Sequence, residues 1–272
     1  MLRDLLQLDG LQPESEHLVP CPRIGGLLRV RPNLMEPYLF YGVVLPERAQ
    51  LSLAFDLTFS HLKSGVRAKA QVSIVLNQVV VWIDSEHNWD IHDLRNVVKN
   101  IVQSHLAMIG YLMGYAYSFE ITRVLSKERG IDWVFGIDIP CIANRNQSVD
   151  LNEALLRLRN KTTGERGVYL HRCFNDLVSA MKHADDTGFY CYRAVESLRH
   201  HCASVNGLRE ANKAQQWQRF REVAEVSEES VRFIKAAADP LRHGEPTDGS
   251  ANDRAELFNQ TWTIVDAYLN KV

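Results

Sequence analysis

The chain has 272 residues, of which 46% are hydrophobic and 24% charged, and its formal net charge is −2. This composition excludes a disordered, collagen-like or disulfide-dense chain and leaves room for one large domain or two ordinary ones. Basic and acidic residues nearly balance on both sides of residue 150, so the electrostatic footprint of a dedicated DNA binder is missing.

The longest uncharged apolar stretch, Leu106 to Tyr117, is far short of the roughly 20 residues a membrane span needs, so no membrane partner is expected. Met1-Leu2-Arg3-Asp4 sets a base beside an acid and opens no signal-peptide apolar core. Five scattered cysteines, Cys21, Cys141, Cys173, Cys191 and Cys202, read as free thiols in a reducing cytoplasm.

In chain order, Tyr38 to Leu45 is rich in aromatic and β-branched residues and reads as a strand, with a turn at Pro46-Glu47-Arg48. Residues 50–59 alternate strictly: Leu51, Leu53, Phe55, Leu57 and Phe59 share one face, as in a half-buried strand. Past Ser64-Gly65, Lys69 to Asp84 is one long strand or two joined near Asn77-Gln78, and periodicity does not decide between them. Asp90 reads as an N-cap, with Asp93 suited to the helix dipole. Leu94, Val97, Val98, Ile101, Val102, Met108, Ile109 and Leu112 come after it at helical spacing, and Gly110 and Gly114 loosen the end. Two more strands are expected over Ala116–Leu125 and Ile131–Ile139. Residues 1–148 thus read as a mainly antiparallel sheet with one long helix on a face, an α+β layer.

Residues 141–150 are polar and read as a linker, with Asp150 able to cap the helix after it. From residue 149 the pattern is helical: 151–159, 166–183, 186–205, 213–226, a helix capped by Ser227 and running to about Asp239, and a last one capped by Asn252. Short connections make 149–272 an all-α bundle of mostly antiparallel helices, and the whole chain α+β.

The familiar catalytic loops are missing: no phosphate loop ending in Lys-Ser/Thr, no Gly-x-Gly-x-x-Gly, no Gly-x-Ser-x-Gly, no Cys-x-x-Cys and no His-Glu-x-x-His. Asp84, Glu86, His87, Asp90, His92 and Asp93 are the carboxylates and imidazoles closest together and can hold a divalent ion in principle. They lack standard ligand spacing, and capping and a solvated loop account for them equally well. His171, Cys173, Cys191, His200 and Cys202 make an equally irregular zinc set. No metal and no cofactor is therefore expected.

Two places in the bundle concentrate chemistry. On the helix 186–205, Cys191, Val195, Leu198 and Cys202 form the buried stripe, while Arg193, Glu196 and His200 share nearly the opposite face. A cation, a carboxylate and an imidazole in that row can bind phosphate or move protons, or simply form a solvated face with an ion pair. In Asp239-Pro240-Leu241-Arg242-His243-Gly244, Pro240 is expected to end the preceding helix, leaving Arg242 and His243 side by side at a tight helix end. There they can form an anion site, or cap carbonyls and pair with Asp239 or Glu245.

The run Tyr192-Arg193-Ala194-Val195-Glu196-Ser197-Leu198-Arg199 resembles the aliphatic-Glu-Ser-Leu helix of HEPN domains. A helix bearing Trp217 and Phe220 comes next, then one ending Ala238-Asp239-Pro240-Leu241-Arg242-His243-Gly244, similar to the family's helix ending in Arg-Asn-x-x-x-His-Gly. The resemblance covers about 149–272 and implies a four- or five-helix bundle that dimerises. It further implies RNA as partner, either bound or cut by a metal-independent ribonuclease, and roles in antiviral defence or stress response. In active members an Arg, four to six residues and a His form the site. Here His243 has Arg242 adjacent and Arg232 beyond the spacing, whereas Arg193 and His200 have six residues between them on the earlier helix.

Two functions are expected on these grounds, and a metal-dependent enzyme using the Asp84 to Asp93 cluster stands behind them. In one, Arg193, Glu196, His200, Arg242 and His243 rebuild a catalytic site across helices and converge in one exposed groove. In the other, those side chains are dispersed or sealed by ion pairs, an apolar patch lies elsewhere, and the bundle dimerises or binds an unknown protein while the α+β half senses a ligand or partner.

Overall fold

The computed structural model describes residues 37–60, 66–85, 87–136, 139–146, 149–245 and 251–272. Cys21, Ser64-Gly65, Glu86 and the N-terminal four residues lie outside the described residues. The chain is α+β, with an antiparallel sheet first and helices after it.

Six strands, β1 (Tyr38–Leu45), β2 (Leu53–Ser60), β3 (Arg67–Val75), β4 (Gln78–Asp84), β5 (Ser118–Ser126) and β6 (Ile131–Val134), form one sheet in the order β2-β3-β4-β1-β5-β6. Every neighbouring pair is antiparallel. The apolar run 69–84 is two strands, because Leu76 and Asn77 both take positive φ and turn the chain in a two-residue hairpin. Asn77 tolerates that conformation and uses its amide to tie three strand ends together. Its Oδ1 accepts from the Leu51 N–H at 2.6 Å, and its Nδ2 donates to the Glu47 carbonyl at 2.6 Å. Its own backbone bonds Leu51 and Val44. Gly42 serves β1 where the register with β5 slips by one residue; a Cβ there would lie 2.3 Å from the Glu120 carbonyl oxygen.

Helix α1 (Ile91–Met113) is capped by Asp90, whose carboxylate accepts from the His92 and Asp93 N–H groups, and it ends on Gly114 in the left-handed conformation. It rests on the sheet along one row, Leu94, Val98, Val102, Leu106 and Gly110, against Phe40, Val72, Val81, Phe119 and their neighbours. The buried stripe is narrower than its apolar periodicity implies. Met108 and Leu112 lie two residues beyond Leu106 and Gly110, about 200° round the helix, and are exposed. The strand expected over 131–139 is described as strand only to Val134, and residues 137 and 138 lie outside the described set.

Residues 141–150 are not simply a linker. Pro140–Ala143 form a short helix, α2, which buries Ile142 in the core of the bundle with Ile139 and Cys141 beside it. The bundle itself is α3 (Leu151–Lys161), α4 (Gly167–Lys182), α5 (Thr187–Val205), α6 (Lys213–Ala224), α7 (Glu228–Arg242) and α8 (Ala251–Leu269). Asp150 caps α3 and Ser227 caps α7 as expected, whereas α8 begins a residue before Asn252. Pro240 does not end α7. Its missing N–H falls in the last turn, and the helix closes there with His243 N–H bonding back to the Pro240 carbonyl at 3.0 Å.

Replacing Asn77 by Ala removes its buried amide bonds and leaves an alanine in the left-handed region. The expected loss is about 2–4 kcal/mol, read as a lower urea midpoint. An unchanged midpoint would show that the hairpin does not depend on that side chain.

Candidate functional site

Helix α5 is packed by α4, α6, α7 and α8. From Cys191 to Ser204 only Arg193, Glu196 and His200 are not buried. The row expected from the sequence is therefore the one strip of that stretch that reaches solvent, and every other polar group in it needs an internal partner. His201 has one in the Tyr268 hydroxyl at 2.7 Å, and Arg199 stacks on Trp217 at 5.2 Å and bonds the Gln216 side-chain carbonyl oxygen.

The five expected site residues are all placed, and four are engaged within the chain. Arg193 leans towards α4, where its guanidinium lies 3.2 Å from Asp176 and over the rings of Phe189 and Tyr190. Glu196 pairs with Lys213 of α6 at 3.0 Å. His200 receives a hydrogen bond from Arg199 Nη2 at 2.8 Å and stacks on Tyr169. Arg242 lies 3.6 Å from Asp239 and over the Tyr192 ring at 5.7 Å. His243 is the exposed C-cap of α7. Tyr192 joins part of this set: its phenol is pushed up to about 12, by burial first and then by Glu196, while Arg242 and Arg199 act in the opposite sense. Glu196, Arg199, Tyr192 and Arg242 therefore share one side of the bundle, and Arg193 points away from them. Among the described contacts none joins His243 to Arg193, Glu196 or His200.

This geometry limits the available acid–base chemistry. Burial, then Arg199, lowers the pKa of His200, with Lys213 and Arg172 adding to the effect and Glu196 opposing it. The imidazole is thus held neutral, and Nε2 accepts from Arg199, so its proton is assigned to Nδ1. The lone pair that would take a proton from an attacking hydroxyl is already used. Arg193, the cation that would hold a phosphate, is paired with a carboxylate whose side chain is only 7% exposed.

Metal chemistry gains no support from the arrangement. Among the described residues no three His, Cys, Asp or Glu side chains come together as a metal site, and Glu86 lies outside that set. Asp90 is used as a cap, and His92 packs edge-on against Trp133 and Phe135. Of the zinc alternative, Cys173, Cys191 and Cys202 are buried free thiols with pKa values pushed up, in each case chiefly by burial. Among the described residues no helix is long and apolar enough to cross a membrane.

The partners are what the sequence reading missed. Asp176 sits among Leu170, Cys173, Leu177 and Ala180 on the buried face of α4, and a carboxylate on an apolar stripe is a legible sign of an internal cation. Arg199 stands beside His200 in sequence, but only the packing of α6 shows it directed at Gln216 and Trp217.

Asp176 generates a signed prediction. Burial raises its carboxyl pKa more than Arg193 and Arg172 lower it, and Oδ2 is buried without a hydrogen bond. The folded state therefore holds this proton more tightly than the unfolded state. Asp176 favours folding most below its unfolded pKa, and that advantage falls as pH rises through the raised value and is then flat. Urea midpoints of wild type minus Asp176→Asn are expected to decline from acid pH across the carboxylate range. A difference that grows with pH would mean that the Arg193 pair outweighs desolvation.

Residues 38–135 match the N-terminal domain, and residues 155–272 the C-terminal domain, of a domain of unknown function, DUF8168. No curated protein and no solved structure matches the chain.

Proposed function

We propose that this chain is a HEPN-like, non-catalytic interaction module that works in the cytoplasm as a homodimer through its helical bundle. The resemblance of 149–272 to that family suggests a setting in antiviral defence or stress response, with the α+β half sensing a ligand or partner. One contrast supports this reading over a ribonuclease. Arg193, Glu196, His200 and Arg242 are spent on partners inside the chain, while leucines of α3 stand in water.

Helix α3 has no buried residue, and only Leu158 packs against the bundle core. Leu151, Leu155 and Leu156 are 75%, 52% and 58% exposed, with Val149 beside them. Eleven residues are too few for a helix to stand on propensity alone, so a covering surface is required. A second copy meets the need because a two-fold contact sets the same leucines against each other. Leu151 and Leu155, one turn apart, form the centre of that contact, and the Glu153–Arg157 pair lies on the other side of the helix.

RNA binding without cleavage is a second reading, favoured by the cations Arg172, Arg199 and Lys213 around His200. It predicts an affinity that falls steeply with salt and weakens in Lys213→Ala.

Light scattering at about 50 μM tests the dimer. Wild type is expected at twice the monomer mass, and Leu151→Glu/Leu155→Glu at the monomer mass with the same circular dichroism melt. A monomeric wild type, or a dimer that survives both substitutions, would contradict the reading.

A further inference from the structure

The uncharged stretch Leu106 to Tyr117 is twelve residues long, too short to span a bilayer. An apolar run of that length commonly fills a protein core or lies in a membrane interface. Here much of it is turned away from the core. Met108, Tyr111, Leu112, Met113 and Tyr115 are each at least half exposed, Tyr111 at 87% and Leu112 at 76%. Leu106 and Gly110 face the sheet, and Met108, Tyr111 and Leu112 stand about 140–240° round α1 from Leu106.

This exposure is not that of a frayed end. Gly114 closes α1 in the left-handed conformation, and the Tyr115 N–H returns to the Gly110 carbonyl at 3.0 Å. Gly110 permits that return, since a Cβ there would lie 2.4 Å from the Tyr115 carbonyl oxygen. Gln103 then holds the start of β5, donating to the Tyr117 carbonyl at 3.0 Å and accepting from the Phe119 N–H at 2.9 Å. The Tyr115 and Tyr117 rings meet edge to face, their centroids 6.0 Å apart. A fixed backbone presents these side chains, so little ordering is left to oppose binding.

A second segment reaches the same end of the sheet. Val75 and Leu76, at the β3–β4 hairpin, are also more than half exposed. The next residue, Asn77, accepts from the Val44 N–H at 2.9 Å, and Val44 pairs with Phe119 at the start of β5. A helix end and a hairpin tip, both apolar, therefore share one end of the sheet half. Among the described residues of 37–136, the other exposed large apolar side chains are Trp133 and Val134 of the edge strand β6. Charge is sparse at this end. No charged residue lies between Leu106 and Phe119, and Glu47, Arg48 and Glu120 beside it are two acids and one base.

We infer that this end of the sheet half lies in the interface of an uncharged lipid bilayer, with Leu76, Met108, Leu112 and Met113 entering the acyl boundary and the tyrosines at headgroup level. Tyrosine suits that depth because its ring is apolar while its hydroxyl stays hydrated. Side chains as exposed as Tyr111 and Leu112 form a ridge, and a fluid apolar phase covers a ridge without needing a matching groove. An anionic membrane surface calls for lysines and arginines round the patch, and the charged residues beside this end include one arginine, Arg48. Neutral lipid fits that charge better. The Lys99 bond to the Lys182 carbonyl joins α1 to the bundle, so contact here would bring both halves to the membrane surface.

Co-sedimentation of the full chain with phosphatidylcholine vesicles tests this. Wild type is expected to pellet with them, and to do so within about twofold as well in roughly 0.5 M salt or with phosphatidylserine added. Tyr111→Ser/Leu112→Ser is expected to weaken binding by at least about tenfold. Its melting temperature is expected to stay that of wild type, because both side chains already stand in water. Leu76→Ser is expected to weaken binding to a smaller extent. Leu151→Glu/Leu155→Glu is expected to pellet as wild type does, which separates this proposal from the α3 dimer. No binding to vesicles, binding only with phosphatidylserine present, or binding untouched by the α1 variant would overturn it. A lower vesicle-free mass for Tyr111→Ser/Leu112→Ser than for wild type would also overturn it, by assigning the patch to a second copy of the chain.

Discussion

Helix α5 is enclosed by four other helices, and the rest of the bundle answers to that enclosure. A polar group left unpartnered in such a place costs about 1–3 kcal/mol, so its side chains recruit partners from each neighbour. Asp176 of α4 takes Arg193, Lys213 and Gln216 of α6 take Glu196 and Arg199, and Tyr268 of α8 takes His201. The residue types that could have made a catalytic row are thereby committed to holding helices together. By contrast, Leu151, Leu155 and Leu156 of α3 remain exposed.

The end of α4 is also where the two halves of the chain meet. Lys99 of α1 and Arg254 of α8 cap the same run of carbonyls, from opposite halves. The Lys99 bond ties α1 of the sheet half to α4 of the bundle.

Periodic features were legible in the sequence, and pairings between distant elements were not. The alternation from Leu51 to Phe59, the Asp90 and Ser227 caps, and the strip of Arg193, Glu196 and His200 all arise from spacing along one element. Spacing failed where a neighbour decides the outcome. Ile142 lies in a polar stretch and is buried because α2 folds back on the bundle core. Met108 and Leu112 carry the right period but miss the sheet, which accepts only one row of α1. Pro240 reads as a helix stop, yet its missing N–H costs α7 only one bond near its end, and the helix continues to Arg242. For the site, residue types and face were readable, but whether the row was free or paired depended on Asp176 and Lys213 of other helices and on the direction Arg199 takes in the packed bundle.

The most direct test of the central claim is single-turnover cleavage of a mixed RNA pool by the purified chain, with EDTA present. The ion pairs of Arg193 and Glu196, and the occupied Nε2 of His200, predict no cleavage above the protein-free control. Cleavage that persists under chelation and disappears in His200→Ala or His243→Ala would contradict the account and establish a metal-independent ribonuclease.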